Sequence, residues 1–425
     1  MLSSPFGNSG FWLEMAMLNV PVHSIPNPNV KYVNKHAVLD LIRFTPGGIS
    51  RVELAQRLGL TRAAVTPIVN DLMDTGLIRE AESRAVSSSG RPPILLSINA
   101  ERGTVAGIDM GATHLMVLIA NFAGQVFAER EIPFDVVQGP EAGLDQVDRL
   151  LRELLQSLGL SLQNLAAVGM GVPGPIVTEA GMVVAPPIMP GWDRFPIRDA
   201  LEERWKGLSV SLNNDAEMGA LGEWAYGADR GVKHLAYIKI GSGVGAGLLI
   251  DGQIYRGATG SAGEIGHTTI EENGLLCNCG NRGCLETLTG GTAIARIARE
   301  AARGNARTLL AEIQPVENIT AVDVANAARG GDLVAQRILI AAGDHLGIAI
   351  ASLVNLFNPN VIVVGGGVAQ IGDLFLEPVR KAVQKRSLPA AAQAVRITTA
   401  LLGRRSSGMG AVVQALSSAL HEIAA

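Results

Sequence analysis

The chain has 425 residues, of which 48% are hydrophobic and 17% charged, with a formal net charge of −4. This composition excludes wholesale disorder, and the small negative charge excludes a general polyanion binder. The length calls for two or three domains.

The charge is unevenly spread. Residues 31–100 carry nine Lys/Arg against six Asp/Glu, giving +3, and residues 1–30 hold only Glu14, so residues 101–425 sum to −6. A mildly basic front module is therefore joined to an acidic body. No apolar run reaching the length of a membrane span is expected, and the N-terminus lacks a basic signal-peptide region. The reading is a cytoplasmic protein with no membrane partner. Residues 1–30, containing "PVHSIPNPNV", read as a flexible tail.

In chain order, "VNKHAVLDLIRF" reads as a first helix, and "ISRVELAQRLGLTRAAVTPIVNDLMDTGLIRE" (49–80) holds two more. Ser50 with Glu53 forms a capping box. Gly59 ends that helix and Thr61 caps the next, whose apolar face is Ala64, Val65, Ile68, Val69 and Leu72. Two short helices joined by a glycine turn describe a helix-turn-helix. Short strands around a Ser/Gly loop ending in Gly90-Arg91-Pro92 describe a wing. The N-terminal end of the second helix of such a unit meets base edges, so Thr61, Arg62, Thr66 and Asn70 are candidate DNA contacts, with Arg91 on the wing. Pro67 predicts a recognition helix that is bent, or tightened near its start.

Beyond residue 100 one pattern occurs twice. "TVAGIDMGATHLMVLIANFAGQVFAEREIPF" reads strand, glycine turn, strand, turn, strand, and "LAYIKIGSGVGAGLLIDGQIYRG" repeats it. Each gains a later apolar strand running into a glycine loop: "NLAAVGMGVPGP" (164–175) and "NPNVIVVGGGVA" (358–369). Two related α/β lobes imply a cleft whose ligands sit at glycine loops on strand ends. The loops "DMGAT" (109–113) and "GSGVGAG" (241–247), with the third glycine loop, make Asp109, Gly111, Thr113, Gly241, Gly243, Gly365 and Gly366 the nucleotide-binding candidates. Bare backbone amides cradle phosphates, and Asp109 would hold Mg2+.

All three cysteines lie in "CNCGNRGCLE" (277–286), downstream of "GEIGH" (263–267). His267, Cys277, Cys279 and Cys284 make a closed tetrahedral zinc set, which is structural rather than catalytic. Glu264 and Glu286 flank the ligands as fixed hydrogen-bond acceptors. In "NND" (213–215), Asp215 reads either as a helix cap or as a general base toward a sugar hydroxyl.

These motifs together resemble the ROK family (repressor, open reading frame, kinase) over about residues 31–425. The branch is that of the regulators, similar to xylose- and N-acetylglucosamine-type repressors. The most specific match is "GEIGH…CNCGNRGCLE", supported in order by "DMGAT", "GVPGP", "NNDA", "GSGVGAGLLIDG" and "NPNVIVVGGGVA". The resemblance implies an α/β chain: an N-terminal winged helix-turn-helix (31–100), then a duplicated two-lobe actin/hexokinase-like, ribonuclease H-like body. Lobe 1 is 101–222 and lobe 2 is 223–425, with the zinc loop in lobe 2 and the last helix packing back on lobe 1.

It further implies that Asn214, Asp215, Glu264, His267 and Glu286 contact a sugar, with one His267 nitrogen on zinc and the other facing the sugar. In kinase members the residue at Asp215 is the catalytic base. Expected partners are double-stranded operator DNA and a small sugar effector, in a homodimer or homotetramer. Against the kinase pattern, Ala112 replaces a glycine, His114 follows the threonine, "KIGSG" stands where threonines are favoured, and Pro187 stands near an expected asparagine. These departures count against ATP–Mg2+ and spare the sugar residues. The resulting expectation is a sugar-responsive repressor with a structural Zn2+, the alternative being an ATP-dependent hexose kinase.

Overall fold

The computed structural model describes residues 30–81, 93–227, 230–304 and 307–425. Residues 1–29 of the expected tail (1–30) and the wing tip with Arg91 lie outside the described residues, and Val30 opens the first helix.

The front module runs α1 (Val30–Phe44), β1 (Ile49–Ser50), α2 (Arg51–Leu58), α3 (Arg62–Asp74), β2 (Ile78–Ala81) and β3 (Leu95–Ile98). The strands form an antiparallel sheet in the order β1-β3-β2. Ser50 and Glu53 close the capping box on α2, and Gly59 ends it in the left-handed conformation. Pro67 does not tighten α3 near its start; Arg62–Asp74 is one α-helix with Pro67 inside it. The physical reason is placement: Ala63 and Pro67 are both exposed, so the carbonyl that loses its partner faces solvent.

The body holds two five-stranded mixed sheets. In lobe 1 these are β4 (Thr104–Met110), β5 (His114–Asn121), β6 (Val126–Pro133), β7 (Leu165–Val172) and, after a small hairpin β8 (Ile176–Val177) and β9 (Met182–Val183), β10 (Val210–Asn214). In lobe 2 they are β11 (Leu235–Ile240), β12 (Val244–Ile250), β13 (Gln253–Ile254), β14 (Val361–Gly365) and β15 (Arg396–Thr399). The spatial orders are β10-β7-β4-β5-β6 and β13-β12-β11-β14-β15. In each, the first three strands form an antiparallel meander and the last two join in parallel on the other side of the first. The duplication seen in the sequence is thus a duplication of topology.

The helices are α4 (Pro140–Ser157), α5 (Ile197–Arg204), α6 (Asp215–Tyr226), α7 (Glu286–Thr289), α8 (Gly291–Arg303), α9 (Ala321–Arg329), α10 (Leu333–Phe357), α11 (Asp373–Arg386), α12 (Pro389–Ala394) and α13 (Ser406–Ala424). Helix α10 has the length and hydropathy of a bilayer span, which the sequence reading did not expect. Its Leu339, Leu346 and Ile350 are fully buried in the lobe 2 core, alongside Ile362 and Val364 of β14, as a core helix requires.

Two helices are exchanged between the lobes. α6 leaves lobe 1 from β10 and packs on β11 and β12, whereas α13 leaves lobe 2 and packs on β4 and β7. They cross each other at Gly222 and Gly410, where a β-carbon would collide with the Ser406 and Met218 carbonyls. The absence of side chains there lets the two backbones touch. α13 also shares one apolar cluster with the front module: Val412, Leu416 and Leu420 pack with Val38, Leu39, Leu54 and Val65.

Candidate functional site

A cavity of about 760 Å³ opens between the lobes. It lies at the carboxyl ends of β4, β10, β11 and β14, where strands stop and glycine loops begin. Asp109, Gly111, Thr113, Asn214, Asp215, Gly241, Gly243, Glu264, His267, Glu286 and Gly366 all line it. Gly365 does not: it ends β14, and its α-carbon faces the ring of buried Tyr237. Alternation along the strand turns that residue into the core and the next one, Gly366, toward the cavity.

The capping role considered for Asp215 belongs to its neighbour. Asn214 is the cap of α6, its Oδ1 accepting from the amides of Ala216 (2.8 Å) and Glu217 (3.2 Å), while its Nδ2 donates to the Gly174 carbonyl at 2.9 Å. Asp215 is the first helical residue, and its carboxylate, not used as the cap, lines the cavity at the positive end of the α6 dipole.

The lobe 2 wall is built around the cysteine loop. His267 Nδ1 lies 3.7 Å from Cys277 Sγ, Cys279 Sγ lies 3.7 Å from Cys284 Sγ, and the four candidate ligand atoms all fall within 4.8 Å of one another. A tetrahedral ion with metal–sulfur bonds of about 2.3 Å places its ligands about 3.8 Å apart, so three thiols and one imidazole at these spacings fit such an ion. The other ring nitrogen, Nε2, lies 3.8 Å from Glu264 Oε2. Burial raises the Glu264 carboxyl above its ordinary range, with His267 opposing. Glu286 starts α7 and leans over the second glycine loop, its Oε2 accepting from the Val244 amide at 3.1 Å.

Sequence reasoning missed several residues here. Lys239, on β11, reaches across from lobe 2 with its Nζ 2.8 Å from Asp215 Oδ2, 3.6 Å from Asp109 Oδ1 and 3.2 Å from Ser407 Oγ. Burial alone would raise the Asp109 carboxyl, but Lys239 and His114 hold it below the usual carboxylate range. His114 Nε2 stands 3.2 Å from Asp109 Oδ2. Behind Asn214, Arg256 bridges Asn213 (Nη2 to Oδ1, 2.9 Å) and Glu217 (3.4 Å). Burial pushes the Glu217 carboxyl up to about 7 against the pull of Arg256. A polar residue on an otherwise apolar strand, as in "AYIKIG", was the available signal for Lys239. Nothing local marked Arg256.

On the front module, Thr61, Arg62, Thr66 and Asn70 are all exposed on one side of α3. The Thr61 hydroxyl caps the helix through the Ala64 amide, and Thr66 donates to the Arg62 carbonyl. Arg62 and Asn70 keep their side chains toward solvent.

Comparison with known proteins agrees with this architecture. The model of the ROK family matches residues 105–417, and that of the MarR family matches residues 31–86. The xylose repressor of Caldicellulosiruptor bescii is 31% identical over 391 residues, 92% of this chain and 97% of that protein. A glucokinase of Halalkalibacterium halodurans is 37% identical over 306 residues, 72% of this chain and 92% of that enzyme. The crystal structure of a ROK transcriptional regulator, a homologue of the Escherichia coli Mlc protein, superposes with a TM-score of 0.77 at 27% identity, covering 93% of this chain and 97% of the other.

Proposed function

Because this chain belongs to the ROK family, with a MarR-like helix-turn-helix in front, we propose that it is a cytoplasmic, sugar-responsive repressor of carbohydrate-metabolism genes. The front module (31–100) binds operator DNA, lobes 1 (101–222) and 2 (223–425) hold the sugar, and the chain works as a homodimer or homotetramer. The observation that carries this reading is α13, which touches both ends of the molecule. Its Ser407 accepts from Lys239 and donates to the Asp215 carbonyl at the cavity, and its His421 meets Asp40 of the front module. A repressor relative spanning 92% of the chain adds support.

In this reading Asp215, Glu264 and Glu286 accept hydrogen bonds from sugar hydroxyls and His267 Nε2 contacts a fourth. Asn214 caps α6 through its Oδ1, and the second proton of its Nδ2, not taken by the Gly174 carbonyl, contacts the sugar. A zinc ion held by His267, Cys277, Cys279 and Cys284 is structural: it ties the loop that carries Glu286 to the short 3-10 turn that Glu264 opens. Arg62 and Asn70 read base edges, with Thr61 and Thr66 positioning the helix and Arg91 reaching from the wing.

The test is a gel shift on the chain's own upstream DNA, with and without a panel of sugars. Sugar-dependent release or tightening is expected. Unaltered DNA binding by an Arg62→Ala, Arg91→Ala double variant would sink the docking scheme.

A phosphotransferase reading has one point in its favour, the glucokinase identity. It makes Asp215 the base for a sugar hydroxyl, with ATP–Mg2+ on Asp109, Thr113 and the glycine loops. Coupled ADP release over hexoses and amino sugars, abolished by Asp215→Asn, would establish it.

A further inference from the structure

The head of the cleft holds two carboxylates from one lobe, Asp109 at the end of β4 and Asp215 just beyond β10. Asp109 is 1% exposed, and its Oδ1 has no hydrogen-bond partner. Two facing carboxylates beside glycine loops are the ligand set of a divalent cation, which takes oxygen ligands and keeps its waters. Here the space between them is already filled. The ammonium of Lys239 enters from the opposite lobe and lies 2.8 Å from Asp215, 3.6 Å from Asp109 and 3.2 Å from Ser407. This ammonium donates to Asp215 and Ser407 and faces the unpartnered Asp109 Oδ1 as an ion pair.

The loops on either side are also taken. The His114 ring lies against Gly111, where a β-carbon would collide with it, and the Glu286 carboxylate lies against Gly243 in the same way. The open face that a phosphate needs on each loop is occupied by the chain's own side chains.

We propose that Lys239 is a resident cation, standing beside Asp109 where the metal of a metal–nucleotide would be held, so that the cleft admits a neutral sugar and refuses ATP–Mg2+. Lys239 is thus a specificity-determining residue. It also clamps the lobes, since it belongs to lobe 2 and pairs with lobe 1. Burial by itself would favour a neutral amine, but Asp109 and Asp215 keep the group charged. The inference rests on the sugar-binding reading of the same cleft.

The experiment is titration calorimetry on the full chain with two probes: Mn2+ alone, and the ATP analogue AMPPNP with Mg2+. The wild-type chain is expected to bind Mn2+ only weakly and AMPPNP–Mg2+ not at all. Lys239→Met and Lys239→Gln, which keep the stem and remove the charge, should bind Mn2+ at least about tenfold more tightly than wild type, and Lys239→Arg should show no gain. Tight binding of AMPPNP–Mg2+ by wild type overturns the proposal whether or not the variants fold. Folded Met and Gln variants with no gain in Mn2+ affinity also overturn it. Thermal shifts with a sugar panel on the same samples separate the two readings. If wild type binds nucleotide yet still responds to sugar, only the role of Lys239 falls; if no sugar stabilises it, the sugar reading falls.

Discussion

His421, near the end of α13, places its Nε2 3.2 Å from both carboxylate oxygens of Asp40 on α1, and both side chains are buried. A carboxylate only accepts, so Nε2 carries the proton. Fourteen residues earlier in the same helix, Ser407 touches Lys239 and Asp215. One rigid element of 19 residues therefore connects the cavity to the first helix of the front module. The Arg43 guanidinium reinforces the joint, donating at 2.8 Å to Ser417 Oγ and to the Val413 carbonyl. A sugar that shifts the lobes shifts this helix, and it can bias DNA binding only by its differential affinity for the two arrangements.

Cutting the joint should therefore uncouple the ends. Asp40→Ala leaves a buried imidazole without its acceptor and is expected to cost about 2 kcal/mol in urea unfolding. In the same variant, sugar binding and DNA binding should both persist while the effect of one on the other disappears. Full sugar response in a folded Asp40→Ala chain would exclude α13 as the connection.

The same joint predicts a pH dependence. Burial, with His421 and Lys35 adding to it, holds the His36 imidazole at about 3 instead of 6.5. Between those values the unfolded chain binds a proton that the folded chain refuses. Stability is therefore full above 6.5 and falls as pH drops toward 3, by about 1.4 kcal/mol per unit at most. Glu217 works the other way. Its carboxyl, raised from 4.5 to about 7, holds a proton in the folded state and lowers stability as pH rises through that window. The two slopes oppose each other, so the wild type should vary little from pH 5 to 6.5. His36→Gln removes only the first, and its stability relative to wild type should grow steadily as pH is lowered.

For the cysteine loop, elemental analysis of freshly purified protein should return one zinc per chain. Chelation, or Cys284→Ser, should lower Tm by about 5 °C or more, because the metal's binding energy is in part folding energy. Sugar affinity should fall with it, since Glu264 and Glu286 are positioned by that loop.

Glu286→Gln keeps the shape and removes the charge-assisted acceptor. Sugar affinity should weaken about ten- to hundredfold in calorimetry, with DNA affinity in the absence of sugar unchanged.

Arg62→Ala should weaken operator binding and, if the side chain contacts a phosphate, reduce the salt slope by about 1. A change in base preference with an unaltered slope would assign it to a base edge instead.

Some of this was plain in the linear chain because it depends on near neighbours. The capping box of Ser50 and Glu53, the left-handed Gly59, the repeated meander and the metal-ligand spacing of Cys277, Cys279 and Cys284 all involve residues a few positions apart. The identity of the α6 cap was missed because Asn214 and Asp215 are both good caps and only backbone register selects one. Gly365 was misplaced for a similar reason: one position along a strand reverses the direction a residue faces.

What the sequence by itself determined is local: the winged helix-turn-helix, the duplicated lobes, the glycine loops, and the zinc and sugar candidates on them. Only the tertiary structure decided what stands between those loops. Lys239 is 24 residues from Asp215, 130 from Asp109 and 168 from Ser407, and it meets all three because two sheets face each other and their helices are exchanged. A lone lysine on a strand has no partner in the linear chain. Charge pairs across a cleft are a property of folded distance, and that distance exists only once both lobes are in place.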